Sequence, residues 1–273
     1  MKIILSRKGF DLTYGGQPSP ILPDGTLLSF PIPIENDRWF YDQIFYNRKS
    51  YLDIIKELKP KSKISKERTC HLDPDIRKSA TQRAKDWKAI FGQCDAAQGH
   101  LINQGIELND IFLFFGWFKL TEIIDGHLKY VKGAPDLHIM YGYLQIGEIY
   151  KCGDNFPEYT KTHSHVIDNY ADKKSNCIYV ANDKLSINNK FNGWGCFKFD
   201  KSLVLTKEGK TKGKWELPDM FKGLAISYHP NPFKEDYFQS ADIGQEFVIE
   251  EKEEVEQLVQ QLIENFYDET VSI

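Results

Sequence analysis

The sequence has no long apolar run and few cysteines. No stretch of about 18 consecutive apolar residues is present, so we expect no membrane-spanning helix. The five cysteines, at positions 70, 94, 152, 177 and 196, form no CxxC pair, so neither a disulfide framework nor a zinc knuckle is indicated. The apolar start over residues 1–5 is too short for a signal peptide. These absences predict a reduced, cytoplasmic protein.

The common nucleotide fingerprints are missing as well. Neither GxxxxGK[ST] nor GxGxxG occurs, which argues against a P-loop or a dinucleotide-binding fold. A formal net charge of −4 argues against a wholly basic nucleic-acid binder, but it leaves room for a local basic face. Residues 47–88 hold 13 basic and 6 acidic residues, and could follow a phosphate backbone or be a solvated surface. Residues 246–269 hold 9 acidic residues and 1 basic residue, which we expect on an exposed helix face.

Apolar and aromatic residues are abundant, at 41% and 14% of the chain, as a globular core requires. Short apolar segments bounded by turn residues predict strands, and apolar residues spaced by three or four predict helices. We therefore predict an α+β fold with a mixed, largely antiparallel sheet or partial barrel and flanking helices, in one domain spanning residues 1–273. The predicted strands lie at 2–5, 110–120, 137–150 and 177–181, and the predicted helices at 38–59, 74–89 and 251–267, the last of them amphipathic.

The first candidate site follows the first predicted strand, at Ser6-Arg7-Lys8-Gly9-Phe10-Asp11. Arg7 is suited to bidentate contact with a phosphate or carboxylate, and Lys8 supplies a point charge. Asp11 is a candidate acid or base, and Ser6 a candidate polar contact. The alternative is a surface turn in which Asp11 caps the residues that follow.

Two histidine-containing strings are candidates for acid–base or metal chemistry. His71 and Asp73 are two residues apart and share a face if the chain is extended there. The alternative is Asp73 as a helix N-cap. His163 and His165 could form half of a metal site, but no carboxylate or cysteine stands at a recognisable ligand spacing. The sequence therefore assigns no metal ligand.

Residues 92–100 are rich in amides and small side chains. Gln93 and Gln98 could hold a base edge through paired hydrogen bonds. His100 is a candidate general base, also for Cys94 as a nucleophile, although a free cysteine is more often inert. Aromatic residues surround Gly116 and Gly142 within predicted strands, and Trp117 is the first candidate for stacking on a base.

These strings occur in an order that resembles the bacterial and phage family called nucleotide modification associated domain 3. The resemblance rests on residues 6–11, 15–25, 31–33, 71–74, 92–101, 110–118 and 142–147, and so spans most of the chain. It implies a part in nucleotide or nucleic-acid modification, an implication that comes largely from genomic association. It supplies neither a reaction nor a cofactor, and the cofactor stays unknown.

Two functions are compatible with these residues. In the first, the protein is an enzyme acting on a nucleotide or DNA base. Asp11, Asp73 and His100 would be catalytic, Ser6, Arg7, Lys8, Gln93, Gln98 and Trp117 would bind the substrate, and the reaction would be group transfer or glycosidic cleavage. In the second, it is a non-enzymatic reader of modified bases, like the EVE and PUA-like modules. An enzyme requires Arg7, Asp11, Asp73 and His100 to meet in one pocket, whereas a reader requires only aromatic rings and amides. We favour the enzyme.

Overall fold

The computed structural model describes residues 1–227, 232–240 and 246–269, so residues 228–231, 241–245 and 270–273 of the predicted domain lie outside it. The helices are α1 (Tyr51–Leu58), α2 (Asp95–Asn103), α3 (Asp168–Ala171) and α4 (Glu253–Phe266). The strands are β1 (Ile3–Arg7), β2 (Ser19–Ile21), β3 (Ile32–Pro33), β4 (Trp39–Phe40), β5 (Phe45–Tyr46), β6 (Lys49–Ser50), β7 (Thr69–His71), β8 (Ile90–Gln93), β9 (Ile111–Ile124), β10 (His127–Tyr130), β11 (Leu137–Lys151), β12 (Cys177–Ala181), β13 (Trp194–Cys196), β14 (Lys214–Trp215), β15 (Phe238–Gln239) and β16 (Glu246–Ile249).

Nine of the described strands form the main sheet. Its path runs β16-β1-β9-β11-β12-β8, while β2 and β10 pair with β9 and β13 pairs with β11. Strands β1 and β2 run parallel to β9, and the other pairings of this sheet are antiparallel. The predicted α+β class with a mixed, largely antiparallel sheet is confirmed. Among the described strands the path ends at β16 and β8, so the sheet does not close into a barrel.

The two faces of the sheet follow from alternation along its central strands. Ile3 and Leu5 of β1 line a small apolar cavity together with Val259 and Leu262 of α4. On the other face, Phe112 and Phe114 of β9 pack edge-on against Phe91 of β8, at ring-centroid distances of 4.7 and 5.4 Å. The apolar stripe of α4 therefore covers one face, and aromatic residues fill the other.

A second hydrophobic cluster lies beneath α1. Ile54, Ile55 and other buried residues of this helix pack with Phe10, Phe30 and Tyr41. The helix begins after Ser50, whose hydroxyl accepts a hydrogen bond of 3.1 Å from the Asp53 backbone N–H, as an N-cap does. This cluster supports the turn that follows β1.

The predicted helix over residues 38–59 is wrong in its first half. Asn47 and Arg48 have φ angles of 47° and 67°, in the left-handed region, and form the tight turn between β5 and β6. The helical periodicity is realised only from Tyr51 onwards, in α1. A hairpin of two-residue strands is too short to show an alternating pattern in the sequence.

The predicted helix over residues 74–89 is also wrong. Only a short 3-10 turn, Lys78–Ala80, forms there. The backbone of Asp75 exchanges hydrogen bonds of 2.9 and 3.2 Å with that of Ile90, so the segment starts in an extended conformation and ends next to β8. This non-local pairing overrides the weak helical pattern.

The amphipathic C-terminal helix is confirmed as α4, with its apolar face buried and its glutamates outward. Glu246, which belongs to the same acidic block, is instead completely buried at the start of β16. Within the described ranges, every helix is too short or too polar to traverse a bilayer.

Candidate cleft with a histidine–aspartate cluster

A cleft with a volume of about 570 Å³ opens where several segments distant in sequence meet. Its lining includes residues 7–14 at and after the end of β1, residues 92–94 at the end of β8 and residues 211–213 just before β14. Single residues of β3, β7, β9, β11 and β15 also line it, together with Asp73, Ser240 and residues in and near α3. A cleft of this volume is in the range that binds small molecules and cofactors.

Two histidines and one aspartate form a compact cluster in the wall of the cleft. His71 ends β7, Asp73 follows two residues later, and His165 lies in a 3-10 turn, and all three are buried. The Nε2 atoms of the two histidines are 3.2 Å apart, and Oδ2 of Asp73 lies 3.9 Å from Nε2 of His71. One nitrogen or oxygen atom from each residue lies within 4.8 Å of the others.

Both imidazole rings are oriented by partners on their far sides. Nδ1 of His71 lies 2.7 Å from the Asp37 carboxylate, and Nδ1 of His165 lies 2.7 Å from Oδ1 of Asn176. The Asn176 orientation follows from its Nδ2, which donates to the His165 carbonyl at 2.8 Å. A carboxylate and an amide oxygen only accept hydrogen bonds, so each Nδ1 carries the proton and donates. In the neutral rings, Nε2 therefore presents a lone pair.

Asp37 and Asp73 are both ionised although both are buried. Burial acts to raise the pKa of Asp37, but hydrogen bonds from His71 and Ser164 hold it below its usual value. Burial likewise acts to raise the pKa of Asp73, and its contact with His163, together with the nearby His165 and Lys8, holds it well below the usual range. Oδ1 of Asp73 also accepts a 2.7 Å hydrogen bond from the Gly92 N–H, which fixes the carboxylate against β8.

Burial also affects two histidines of the cleft. It lowers the pKa of His165 to about 3, so this ring is neutral at physiological pH. Burial, followed by the positive charges of Arg7 and Lys212, lowers the pKa of His138 to about 3. Nδ1 of His138 accepts a 3.1 Å hydrogen bond from the Trp215 indole. Arg7 and Lys212, both in the lining, thus bring two cations to the same neutral imidazole.

A buried ionic cluster supports the floor beside β1. Glu246 is completely buried, and its Oε1 accepts hydrogen bonds from Lys8 Nζ at 3.2 Å, from Ser6 Oγ at 3.2 Å and from Gln93 Nε2 at 2.6 Å. The Lys8 ammonium also lies 4.4 Å from the centre of the Phe91 ring, within cation–π distance. These contacts tie β1, β8 and β16 together at the cleft, while Oε2 of Glu246 is buried without a hydrogen-bond partner among the described residues.

Comparison with known proteins identifies the family. The family model of nucleotide modification associated domain 3 matches residues 2–250. The chain belongs to this family. No curated protein and no solved structure matches the chain. The family name connects the chain with nucleotide modification.

Six of the nine residues assigned to catalysis or substrate binding line the cleft of this family member: Arg7, Lys8, Asp11, Asp73, Gln93 and Trp117. They come from four separate parts of the chain, and the sheet brings them together. The lysines and arginines of the basic block over residues 47–88 are not among the residues that line the cleft. His71 and Asp73 are the residues of that block that do line it.

Three other candidates lie elsewhere. Ser6 is completely buried behind the cleft, where it donates to Glu246. Gln98 is buried on α2 and accepts a 3.0 Å hydrogen bond from the Tyr179 hydroxyl. His100 lines a different cleft, with its Nε2 2.8 Å from Oγ of Ser227. His100 and Gln93 are therefore close in the sequence but do not line the same cleft.

Several residues in the cleft are already engaged by the protein. Gln93 accepts from the Cys94 N–H and donates to Glu246. The Trp117 indole donates to Asp136 at 3.0 Å, and the Lys212 ammonium lies 4.6 Å from the centre of the Trp117 ring. These contacts hold the side chains in place and use much of their hydrogen-bonding and stacking capacity.

Asp11 and Cys94 also have local roles. Oδ1 of Asp11 accepts from the backbone N–H groups of Thr13 and Tyr14 at 2.7 and 2.5 Å, which closes the turn after β1. Burial, followed by a hydrogen bond to Asp95, raises the pKa of Cys94 to about 11. The Cys94 thiol is therefore protonated at neutral pH, which disfavours its use as a nucleophile.

The aromatic strings are mainly core. Phe114, Phe115 and Phe118 are almost completely buried, and from the aromatic group around Gly116 it is Trp117 that reaches the cleft. A Cβ on Gly116 would lie 2.7 Å from the Lys8 carbonyl oxygen, so this glycine permits close approach of β1 and not of a ligand.

Sequence analysis missed the pairing of His71 with His165, the role of Lys212 and His138, and the burial of Glu246. The two histidine strings were visible, but 94 positions separate them and nothing in their spacing links them. The alternation rule did predict that His71 and Asp73 face the same way.

Proposed function

We propose that this protein is a nucleotide-modifying enzyme and that the cleft binds a nucleotide, free or within DNA. The observation that carries the proposal is the convergence of Arg7, Asp11 and Asp73 on one cleft from distant segments. His100, the fourth group expected there, lines a different cleft, and His71 and His165 line this one beside Asp73 instead. A reader of modified bases requires aromatic rings and amides, but it does not require buried ionised groups beside histidines. The family membership supports a nucleotide as the substrate class.

The phosphate is assigned to the side of the cleft lined by Arg7, His138 and Lys212. Both cations act on His138, so an anion at this side would be close to two positive charges. Guanidinium and ammonium groups are the usual protein partners of phosphate. The base or sugar would then lie toward the cluster of His71, Asp73 and His165.

Asp73 is the proposed reacting or charge-stabilising carboxylate. It is ionised, buried and held by Gly92, so its charge is available without solvent screening. Asp11 is the second carboxylate in the cleft, and its turn-closing bonds leave it at the entrance. The choice between group transfer and glycosidic cleavage depends on the product that is found.

The test compares cation removal inside and outside the cleft. Arg7→Met and Lys212→Met are measured against Lys201→Met, an exposed lysine outside the lining. A hydrogen bond to a charged group contributes about 1.5–3 kcal/mol, so each cleft variant should weaken binding of deoxynucleoside monophosphates or short duplexes roughly 10- to 100-fold. Calorimetric titration measures the affinity, and Lys201→Met should match the wild type.

The enzymatic part of the proposal is tested by nucleoside analysis of DNA from cells that express the protein. We expect a changed nucleoside with the wild type and none with Asp73→Asn, provided circular dichroism shows that the variant folds. If the protein binds a modified duplex but no nucleoside in the DNA changes, the protein is a reader of modified bases and the enzyme proposal is wrong. Equal affinities for the wild type, Arg7→Met and Lys212→Met would contradict the assignment of the cleft.

A further inference from the structure

The His71–His165 pair brings two ring nitrogens close together in the wall of the cleft. Each Nδ1 donates to its own acceptor, Asp37 or Asn176, so the two Nε2 atoms face each other across 3.2 Å. The ionised Asp73 adds a third electron-rich atom 3.9 Å from Nε2 of His71. Two imidazole nitrogens and a carboxylate oxygen therefore lie within 4.8 Å of one another, as the ligand atoms of a bound cation do.

We propose that His71, Asp73 and His165 bind a divalent first-row transition metal ion in the wall of the cleft. Two imidazole nitrogens and a carboxylate form a donor set that suits Zn²⁺ and Fe²⁺ and that leaves coordination positions open. All three residues line the cleft, so the open positions are accessible to a water molecule or to a substrate oxygen.

The distances agree with this assignment. Two ligand atoms at ~2.0–2.1 Å from a metal and 90–110° apart are separated by about 2.9–3.4 Å. The Nε2–Nε2 distance of 3.2 Å is within that range, and Oδ2 of Asp73, 3.9 Å from Nε2 of His71, must approach by about 0.5 Å to reach it.

The supporting groups are those of a metal centre. Metal-binding histidines usually donate their other ring N–H to a carboxylate or carbonyl, which orients the ring and fixes its tautomer. Asp37 does this for His71, and Asn176 does it for His165. His163 adds a further buried imidazole, with its Nε2 3.3 Å from Oδ1 of Asp73 and without a hydrogen-bond partner among the described residues.

The full chain is first stripped with a chelator and then titrated separately with Zn²⁺, Co²⁺, Mn²⁺ and anaerobic Fe²⁺. Calorimetry should show one equivalent of at least one metal bound tightly, and bound Co²⁺ should give ligand-field absorption bands. His71→Ala and His165→Ala should each lower the affinity at least about 100-fold, because loss of an outer-shell partner alone costs 10- to 100-fold. His127→Ala, which removes a surface histidine, should keep the wild-type affinity.

No stoichiometric binding of any of the four metals by the wild type would overturn the proposal. In that case the cation would be a proton, with one ring as imidazolium. Undiminished binding by both folded alanine variants would overturn it as well. If the alanine variants do not fold, X-ray absorption spectroscopy of the metal-loaded wild type decides: two imidazole ligands support the site, and fewer than two exclude it. Because nucleotide is absent from these measurements, their outcome is independent of the proposed function.

Discussion

Gly92→Ala is the substitution whose effect the structure specifies most directly. Gly92 lies in β8, and its N–H donates to Asp73. A Cβ at this position would be 2.2 Å from Cγ and Cδ2 of His165. Ordinary carbon–carbon contact begins near 3.5 Å, so the ring or the strand must move by about 1.3 Å.

The cost follows from how firmly both partners are held. The His165 ring is buried and hydrogen-bonded to Asn176, and the Gly92 backbone is paired with β12 and bonded to Asp73. Overpacking of this kind costs about 1–3 kcal/mol, and we expect the upper end. Because φ of Gly92 is not in the left-handed region, the cost is steric and not a matter of backbone strain.

Gly99→Ala is the matched control. Gly99 lies within α2, and an added Cβ would have no atom within 4 Å. Alanine in a helix is about 1 kcal/mol better than glycine, so this variant should be slightly more stable than the wild type. Urea unfolding followed by circular dichroism should separate the two alanine variants by about 3–4 kcal/mol, the sum of these two effects.

Two results test the reasoning further. In a His165→Ala background the clash with the ring is gone and only the 2.7 Å approach to the Cβ of residue 165 is left. Gly92→Ala should therefore cost less there, and the difference is a coupling free energy of about 1–2 kcal/mol. Gly92→Ala should also weaken metal binding, because it displaces His165. If Gly92→Ala and Gly99→Ala have the same unfolding free energy, the described packing of His165 on β8 is refuted.

The remaining predictions concern the charged groups around the cleft. Lys8→Met leaves the buried Glu246 carboxylate without its cation and should lower the unfolding free energy by about 3 kcal/mol in urea, and an unchanged midpoint would contradict the buried ion pair. The lowered pKa of His138 means that the unfolded chain takes up a proton below about pH 6.5 while the folded chain does so only near pH 3. Stability should therefore fall with decreasing pH across this window by up to about 1.4 kcal/mol per unit, and His138→Gln should show a shallower fall. Asp37→Asn should weaken metal binding about 10-fold by reducing the basicity of His71, whereas the exposed Asp86→Asn should leave the titration unchanged.

Local patterns in the sequence predicted much of the secondary structure. The apolar segments at β1, β9 and β12 are continuous enough to indicate buried strands, and the spacing of Val255, Val259 and Ile263 indicates the face of α4. The pattern failed where pairing with a distant segment determined the conformation, as for Asp75 with Ile90. It also failed at Asn47-Arg48, where two polar residues form a tight turn.

The sequence by itself determined the fold class and the shared direction of His71 and Asp73. It also determined the first strand, with the charged residues Arg7, Lys8 and Asp11 at and beyond its end. These properties depend on residues only a few positions apart, so a pattern in the sequence can predict them. Only the tertiary structure decided that His165 meets His71, that Glu246 is buried beneath Lys8, and that His100 lines a different cleft. Strand pairing across more than 90 positions sets these distances, and no spacing between residues in the sequence encodes them.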